Sequence, residues 1–200
     1  MRNKLITSLI FVLSVCGCAQ HLIKIEDPST SFDGSSYSIK PPGNGEWSYI
    51  KRKDHGYATF FFARKSQSDT FSNYAIVREM LSNIYLHYND ELFLNYVKYS
   101  IEQNNNQQRA ELVESKFEII DLKGAKTAAF YIVQKDLDAM NKGLNPYLYI
   151  KTAGNVIIHP EKKNILIQLD YSERGVESEL DIDFKKNASI FFSNIVLKKL

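Results

Sequence analysis

The stretch Asn164-Ile165-Leu166-Ile167-Gln168-Leu169-Asp170-Tyr171-Ser172 alternates in polarity along its whole length. Successive side chains of an extended chain point to opposite faces, so Ile165, Ile167, Leu169 and Tyr171 share one face and Leu166, Gln168 and Asp170 the other. Period two held over that length predicts a strand with one face in a core. The residues on either side extend the pattern. Upstream, Asn145 to Thr152 and Val156 to His159 read as two β-rich runs joined through Ala153-Gly154-Asn155. Before them, Ser115 to Leu122 and Lys126 to Asp136 flank Lys123-Gly124-Ala125, a hairpin signal. Downstream, Leu180 to Val196 places Phe184, Ala188, Phe191, Phe192 and Ile195 at helical spacing, which predicts a packed helix.

The N-terminal half reads the same way. Ser36 to Lys40 is a strand stopped by Pro41-Pro42-Gly43, and Glu46 to Lys53 and Tyr57 to Ala63 flank the turn Asp54-His55-Gly56. Tyr74 to Met80 predicts a further strand, with Tyr74, Ile76 and Met80 on one face interrupted by Arg78. Asn89 or Asp90 caps a helix over Glu91 to Ile101, striped by Leu92, Phe93, Tyr96, Val97 and Ile101, which frays in the run Asn104 to Gln108. Hairpins with two separated helices describe an α+β domain with an antiparallel sheet and packed helices.

The order of these elements resembles the PsbP-like fold, named for an extrinsic lumenal protein of photosystem II: a hairpin opening with Tyr37-Ser38-Ile39-Lys40-Pro41 and Trp47, a helix, a long antiparallel run and a closing helix. Tyr171-Ser172-Glu173-Arg174-Gly175 and His159-Pro160 are similar to segments of bacterial lipoproteins. The resemblance covers residues 36 to 200 and implies an α/β/α sandwich. It carries over no functional residue.

The first twenty residues have a separate logic. Arg2 and Lys4 precede an apolar run from Leu5 to Val15, about 16 Å long as a helix at ~1.5 Å per residue. That is half of the ~30 Å hydrocarbon core, as expected of a secretory leader and too short for a span. The run ends in Val15-Cys16-Gly17-Cys18, which resembles the lipobox of bacterial lipoproteins. The resemblance implies cleavage before Cys18, a diacylglycerol on its sulfur and fatty acid on the new N-terminus. Cys16 and Cys18 are the chain's two cysteines. Their spacing is not that of a CxxC site, and no further thiol completes a zinc shell.

The expected organisation is therefore a signal peptide over 1–17, a lipidated Cys18 with a flexible tether over 18–35, and one globular domain over 36–200. Fully stretched, the polar segment Gln20 to Ser36 reaches ~60 Å at ~3.3 to 3.6 Å per residue. Ala19 after the lipidated cysteine points to the outer membrane, facing the periplasm.

The formal charge of +2, from 25 basic and 23 acidic residues, is carried by Arg2 and Lys4, so the mature chain is formally neutral. Neutrality argues against nucleic acid as a partner. His21, His55, His87 and His159 are scattered, and the sequence has no nucleophile elbow, phosphate loop or dinucleotide fingerprint. It points to no metal, no cofactor and no catalytic residue.

Four residues are candidates for binding: Asp170, Glu173 and Arg174 at the end of the alternating strand, and His159. Asp170 is expected to meet Arg174, whose guanidinium could grip a carboxylate or phosphate in bidentate fashion. Equally, Glu173 and Arg174 could shape the turn into the last helix, and His159-Pro160 could be a turn entry. The rings of Trp47, Tyr49, Tyr57, Phe60, Phe61 and Phe62 fit a core or a groove, and the unbroken Phe triplet puts at least one ring on the less buried face. The resulting expectation is a non-enzymatic envelope lipoprotein that binds an envelope protein partner. The alternative is a hydrolytic or small-ligand-binding domain with its polar cleft at Asp170 and Arg174.

Overall fold

In the computed structural model of the chain, the alternating stretch is a strand over Ile165–Gly175 that lies inside an eight-stranded antiparallel sheet. The structure describes residues 22–43, 45–54, 56–66, 68, 70–82, 86–104, 109–137 and 147–199. The leader, Cys18, His21, His55 and the run 105–108 lie outside them.

In chain order the strands are β1 (Ile23–Lys24), β2 (Phe32–Asp33), β3 (Tyr37–Ile39), β4 (Trp47–Asp54), β5 (Tyr57–Arg64), β6 (Ser72–Leu81), β7 (Ala110–Leu122), β8 (Ala125–Asp136), β9 (Tyr149–Ile158), β10 (Ile165–Gly175) and β11 (Val196–Leu197). Helix α1 (Asp90–Asn104) separates β6 from β7, and α2 (Phe184–Ser193) precedes β11. The large sheet runs β1-β4-β5-β6-β10-β9-β8-β7, and a small one runs β11-β3-β2.

This architecture corrects the expected α+β class and its α/β/α sandwich. The fold is mostly antiparallel β-sheet. One face of the large sheet is covered by the small sheet together with α2, and the other face, among the described residues, by α1 and the turn at Leu86 just before it, over the half built from β7 to β10. The sequence overweighted the helices because their apolar stripes are conspicuous. The strands buried on two faces spread their apolar residues over both and read as weaker signals.

Strand β10 shows the consequence. Ile165, Ile167, Leu169 and Tyr171 do share a face with Phe60, Phe62, Phe184 and Phe191. The opposite face is also covered, so Leu166 and Gln168 are buried as well. In the first core Phe32 stands edge-on to Tyr49, Phe60 and Phe62, with ring centroids 4.7, 5.5 and 5.1 Å away. Each such side chain contributes ~1.5–3 kcal/mol by burial. Phe61, between two core rings, faces the other way and stacks on Tyr74 at 5.7 Å.

The β7–β8 hairpin forms where expected, because Lys123 (φ 56°) and Gly124 (φ 78°) both adopt left-handed conformations in a two-residue turn. The Lys123 ammonium donates to the carbonyls of Ser193 and Ile195 (2.7 and 2.6 Å), tying the turn to the end of α2. Asn89 is the cap of α1: its Oδ1 accepts the N–H of Leu92 at 3.0 Å.

Ala153-Gly154-Asn155 is not a turn. It lies within β9, unbroken in register against both β8 and β10. Gly154 is there for close approach: a Cβ would lie 2.2 Å from the Phe130 ring and 2.7 Å from Asp170 Oδ1. The polar N-terminal segment also contributes to the body, with β1 paired to β4 and Phe32 buried. The carboxylate of Glu79 fastens that segment, accepting the Ser36 N–H and hydroxyl (2.5 Å each), the Ser35 N–H (3.1 Å) and the Ala58 N–H (3.3 Å).

Candidate functional site

The four candidates from the sequence occupy three different places. Asp170 and Arg174 do lie on one face of β10, but four residues of extended chain separate them by ~13 Å, at ~3.3 Å per residue. They do not meet. Arg174 Nε instead donates to Asp136 Oδ2 at 2.6 Å, joining the end of β10 to the end of β8.

Asp170 belongs to a chain of amides and charges under α1. Arg78 donates through Nε and Nη2 to Gln168 Oε1 (3.2 and 2.8 Å), and Gln168 Nε2 donates to both Asp170 oxygens at 2.9 Å. Burial raises the Asp170 pKa, opposed by the Gln168 hydrogen bonds and the attraction of Arg78.

His159 is fully buried between β9 and β10. Its Nδ1 accepts the N–H groups of Glu161 and Lys162 (3.2 and 3.1 Å), so Nε2 carries the proton and donates to the Lys198 carbonyl at 3.0 Å. The imidazole closes a turn.

Glu173 points the opposite way from Arg174, and it alone of the four lines an open cleft. The cleft has a volume of about 820 Å³ and lies where β4 begins and β5 and β10 end. Its walls carry Arg64, Lys65, Phe71, Glu173, Glu179 and Asp181. Glu173 has no exposed surface, and it accepts Asn73 Nδ2 at 2.9 Å and the Asp181 N–H at 3.1 Å. Burial raises its pKa, and the neighbouring Asp181 charge adds to the rise.

Glu179 behaves in the opposite way. Hydrogen bonds from Ser68 and Thr70 hold its pKa below the usual carboxylate range, and the Thr70 hydroxyl lies 2.9 Å from Oε2. Asp181 accepts the Asp183 N–H (2.8 Å) and Asn187 Nδ2 (2.7 Å). These three carboxylates are thus engaged by donors of the chain itself, as wall-building groups.

The cations are not so engaged. Among the described residues no hydrogen bond or ion pair occupies the Arg64 guanidinium or the Lys65 ammonium. Gly45 makes room for Arg64: at φ 112° it takes a conformation that suits glycine, and a Cβ there would lie 2.5 Å from Arg64 Nε. Phe71 packs beside Gly175, where a Cβ would stand 3.1 Å from its ring. Beside the acids Glu46, Glu173, Glu179 and Asp181, the cleft therefore presents two positive charges and an aromatic ring. Sequence reading missed Arg64, Lys65, Phe71, Glu179 and Asp181, because three separate connections bring them together and none forms a motif.

Among the described residues no helix is long and apolar enough to cross a membrane, and no group of three or more His, Cys, Asp or Glu is placed to hold a metal ion. No protein-family model matches the chain, and no curated protein sequence does. Among solved structures, the chain is similar to the solution structure of cyanobacterial PsbP (CyanoP) from Synechocystis sp., at 16% identity over 93% of this chain and 99% of that one, with a TM-score of 0.47.

Proposed function

We propose that the protein is a lipid-anchored module of the bacterial envelope that binds a partner protein through the cleft at the end of β10. The anchor is the diacylglycerol on Cys18, and the compartment is the periplasmic side of the outer membrane. The observation that carries the binding role is the cleft itself. Glu173, Glu179 and Asp181 accept hydrogen bonds from the chain's own donors, while Arg64 and Lys65 line the cleft beside Phe71 with no hydrogen bond or ion pair among the described residues. That set suits an extended partner segment bearing a carboxylate next to an apolar side chain, gripped by the Arg64 fork with the apolar group against the ring.

Two measurements test the reading. Labelling cells with radioactive palmitate is expected to mark the wild-type chain and not Cys18→Ala. A photo-crosslinking amino acid in place of Phe71 is expected to capture one discrete envelope protein, and the product is expected to vanish when Arg64→Glu and Lys65→Glu are added. Capture that is indifferent to those charge reversals would reject the cleft as the binding site.

A further inference from the structure

Strand β1 fixes where the chain leaves the sheet. Ile23 pairs with Tyr49 and Lys24 with Ser48, antiparallel to β4. Lower residue numbers on β1 therefore face higher numbers on β4, so the N-terminal end of β1 points toward the β4–β5 turn, away from the cleft. Leu22 stands level with Ile50, and four peptide units separate it from Cys18, a reach of at most ~14 Å. The same length of β4 leads from Ile50 to Asp54 at the turn. A tether expected to reach ~60 Å is thus shortened to about a quarter, because β1 is paired into the sheet.

That end of the molecule is basic. Lys51, Arg52 and Lys53 are consecutive and exposed at the end of β4. The β9–β10 turn adds Lys162 and Lys163, also exposed. The registers Thr59 with Arg78 and Ile165 with Leu81 bring both turns to one end of the sheet. The acids at that end are Asp54, Glu161, Asp33, which pairs with Lys198 at 2.8 Å, Asp121 at the β7–β8 turn, and Asp90, which pairs with Lys126 at 2.5 Å. Beside the basic turn, Leu22 and Ile23 leave 51% and 54% of their surface exposed. Cationic side chains with adjacent exposed aliphatics match a surface of anionic headgroups over acyl chain.

We infer that the β4–β5 and β9–β10 turns, with Leu22 and Ile23, form a face that seats the domain directly on an anionic lipid surface. The inference rests on the lipid anchor at Cys18, which brings the bilayer within reach of this end. Charge then selects the turn-bearing face, whereas at the cleft end of the sheet the cations Arg64, Lys65 and Lys151 stand among Glu46, Glu173, Glu177, Glu179, Asp181 and Asp183.

The test uses the full chain purified from membranes and reconstituted into vesicles of phosphatidylglycerol with phosphatidylcholine, or of phosphatidylcholine alone. A water-soluble amine-acylating reagent is applied, and each lysine is read by mass spectrometry. On the anionic vesicles, acylation of Lys51, Lys53, Lys162 and Lys163 is expected to slow about tenfold relative to the neutral ones, with Lys65 and Lys151 at the cleft end unchanged. The protection is expected to disappear at about 0.5 M salt, where screening shortens to a few Å. The triple variant Lys51→Glu, Arg52→Glu, Lys53→Glu is expected to lose it at Lys162 and Lys163. Equal acylation on both vesicles, or protection at Lys65, overturns the inference.

The mass of the Cys18 peptide in the same digest reports separately on the anchor. If Cys18 is bare, the same protein is added to preformed vesicles of both kinds. Protection of the four lysines then upholds the face while the anchor falls, and its absence overturns the face as well.

Discussion

Glu79 is the residue whose removal the structure resolves most sharply. Its side chain is buried in β6, and its carboxylate accepts four donors from Ser35, Ser36 and Ala58, two of them at 2.5 Å. Hydrogen bonds to a charged group contribute ~1.5–3 kcal/mol each, though such values do not add within one network. Glu79→Ala removes the acceptor and leaves the Ser36 N–H and hydroxyl unsatisfied inside, so a loss of ~3–5 kcal/mol is expected. Glu79→Gln keeps the shape and one acceptor oxygen but loses the charge, and ~2 kcal/mol is expected. For a domain of this size ~3 kcal/mol lowers the melting temperature by ~6–12 °C.

The pH dependence has a definite sign. Desolvation pushes the Glu79 pKa up, but the hydrogen bonds from Ser36, Ser35 and Ala58 outweigh it, and the folded value lies below the ordinary 4.5. The unfolded chain therefore binds the proton more readily. The stabilisation is complete above the unfolded pKa and is lost as pH falls through the lowered folded value. Urea unfolding followed by Trp47, the sole tryptophan and a buried one, measures this directly. The wild type is expected to lose stability below about pH 4.5 more steeply than Glu79→Gln. Equal stabilities at neutral pH to within ~0.5 kcal/mol, or parallel acid limbs, would refute the reasoning.

Glu173 predicts the opposite slope: burial raises its folded pKa, so the wild type should gain stability relative to Glu173→Gln as pH drops from neutral toward the ordinary carboxylate range, read by the same urea series. Gly154→Ala drives a methyl into the Phe130 ring and Asp170, and ~1–3 kcal/mol of destabilisation is expected from denaturant midpoints. Arg174→Ala takes the guanidinium from Asp136, which is 7% exposed, and should cost ~1–3 kcal/mol in thermal melts while leaving crosslinking at Phe71 unchanged.

Much of the fold was legible because local chemistry and tertiary packing agree at those residues. Lys123-Gly124 turns the β7–β8 hairpin, Asn89 caps α1, and Phe184, Ala188, Phe191 and Phe192 pack as spaced on α2, which is shorter at both ends than the expected Leu180 to Val196 and leaves Ile195 buried just past its end. The class was misread because α1 and α2 do not form layers, and because β9 runs straight through a glycine that looks like a turn. Gly154 serves a contact 24 residues upstream at Phe130 and 16 downstream at Asp170, which no local pattern carries. The cleft was illegible for the same reason. Of its lining, Glu173 alone belonged to a quoted motif, and the expected Asp170–Arg174 pair fails because four residues of extended chain hold the two ~13 Å apart on their shared face.

The direction of the strands separates the two proposed functions in space. In the proposed seating, the basic turns touch the lipid and the cleft stands at the far end of β4, whose eight residues span ~26 Å at ~3.3 Å per residue. The short reach from Leu22 to Cys18 then has a mechanical role: it holds Arg64, Lys65 and Phe71 at a set height facing away from the bilayer. A partner must offer its carboxylate-bearing segment at that height. Lengthening the linker between Cys18 and Leu22 with a flexible Gly-Ser insert should leave the isolated cleft intact and yet weaken capture at Phe71, since the domain is then free to tumble and its effective concentration toward the partner falls. Capture undiminished by such an insert would mean that the cleft acts without a fixed height, and the coupling between the two ends of the sheet would have to be given up.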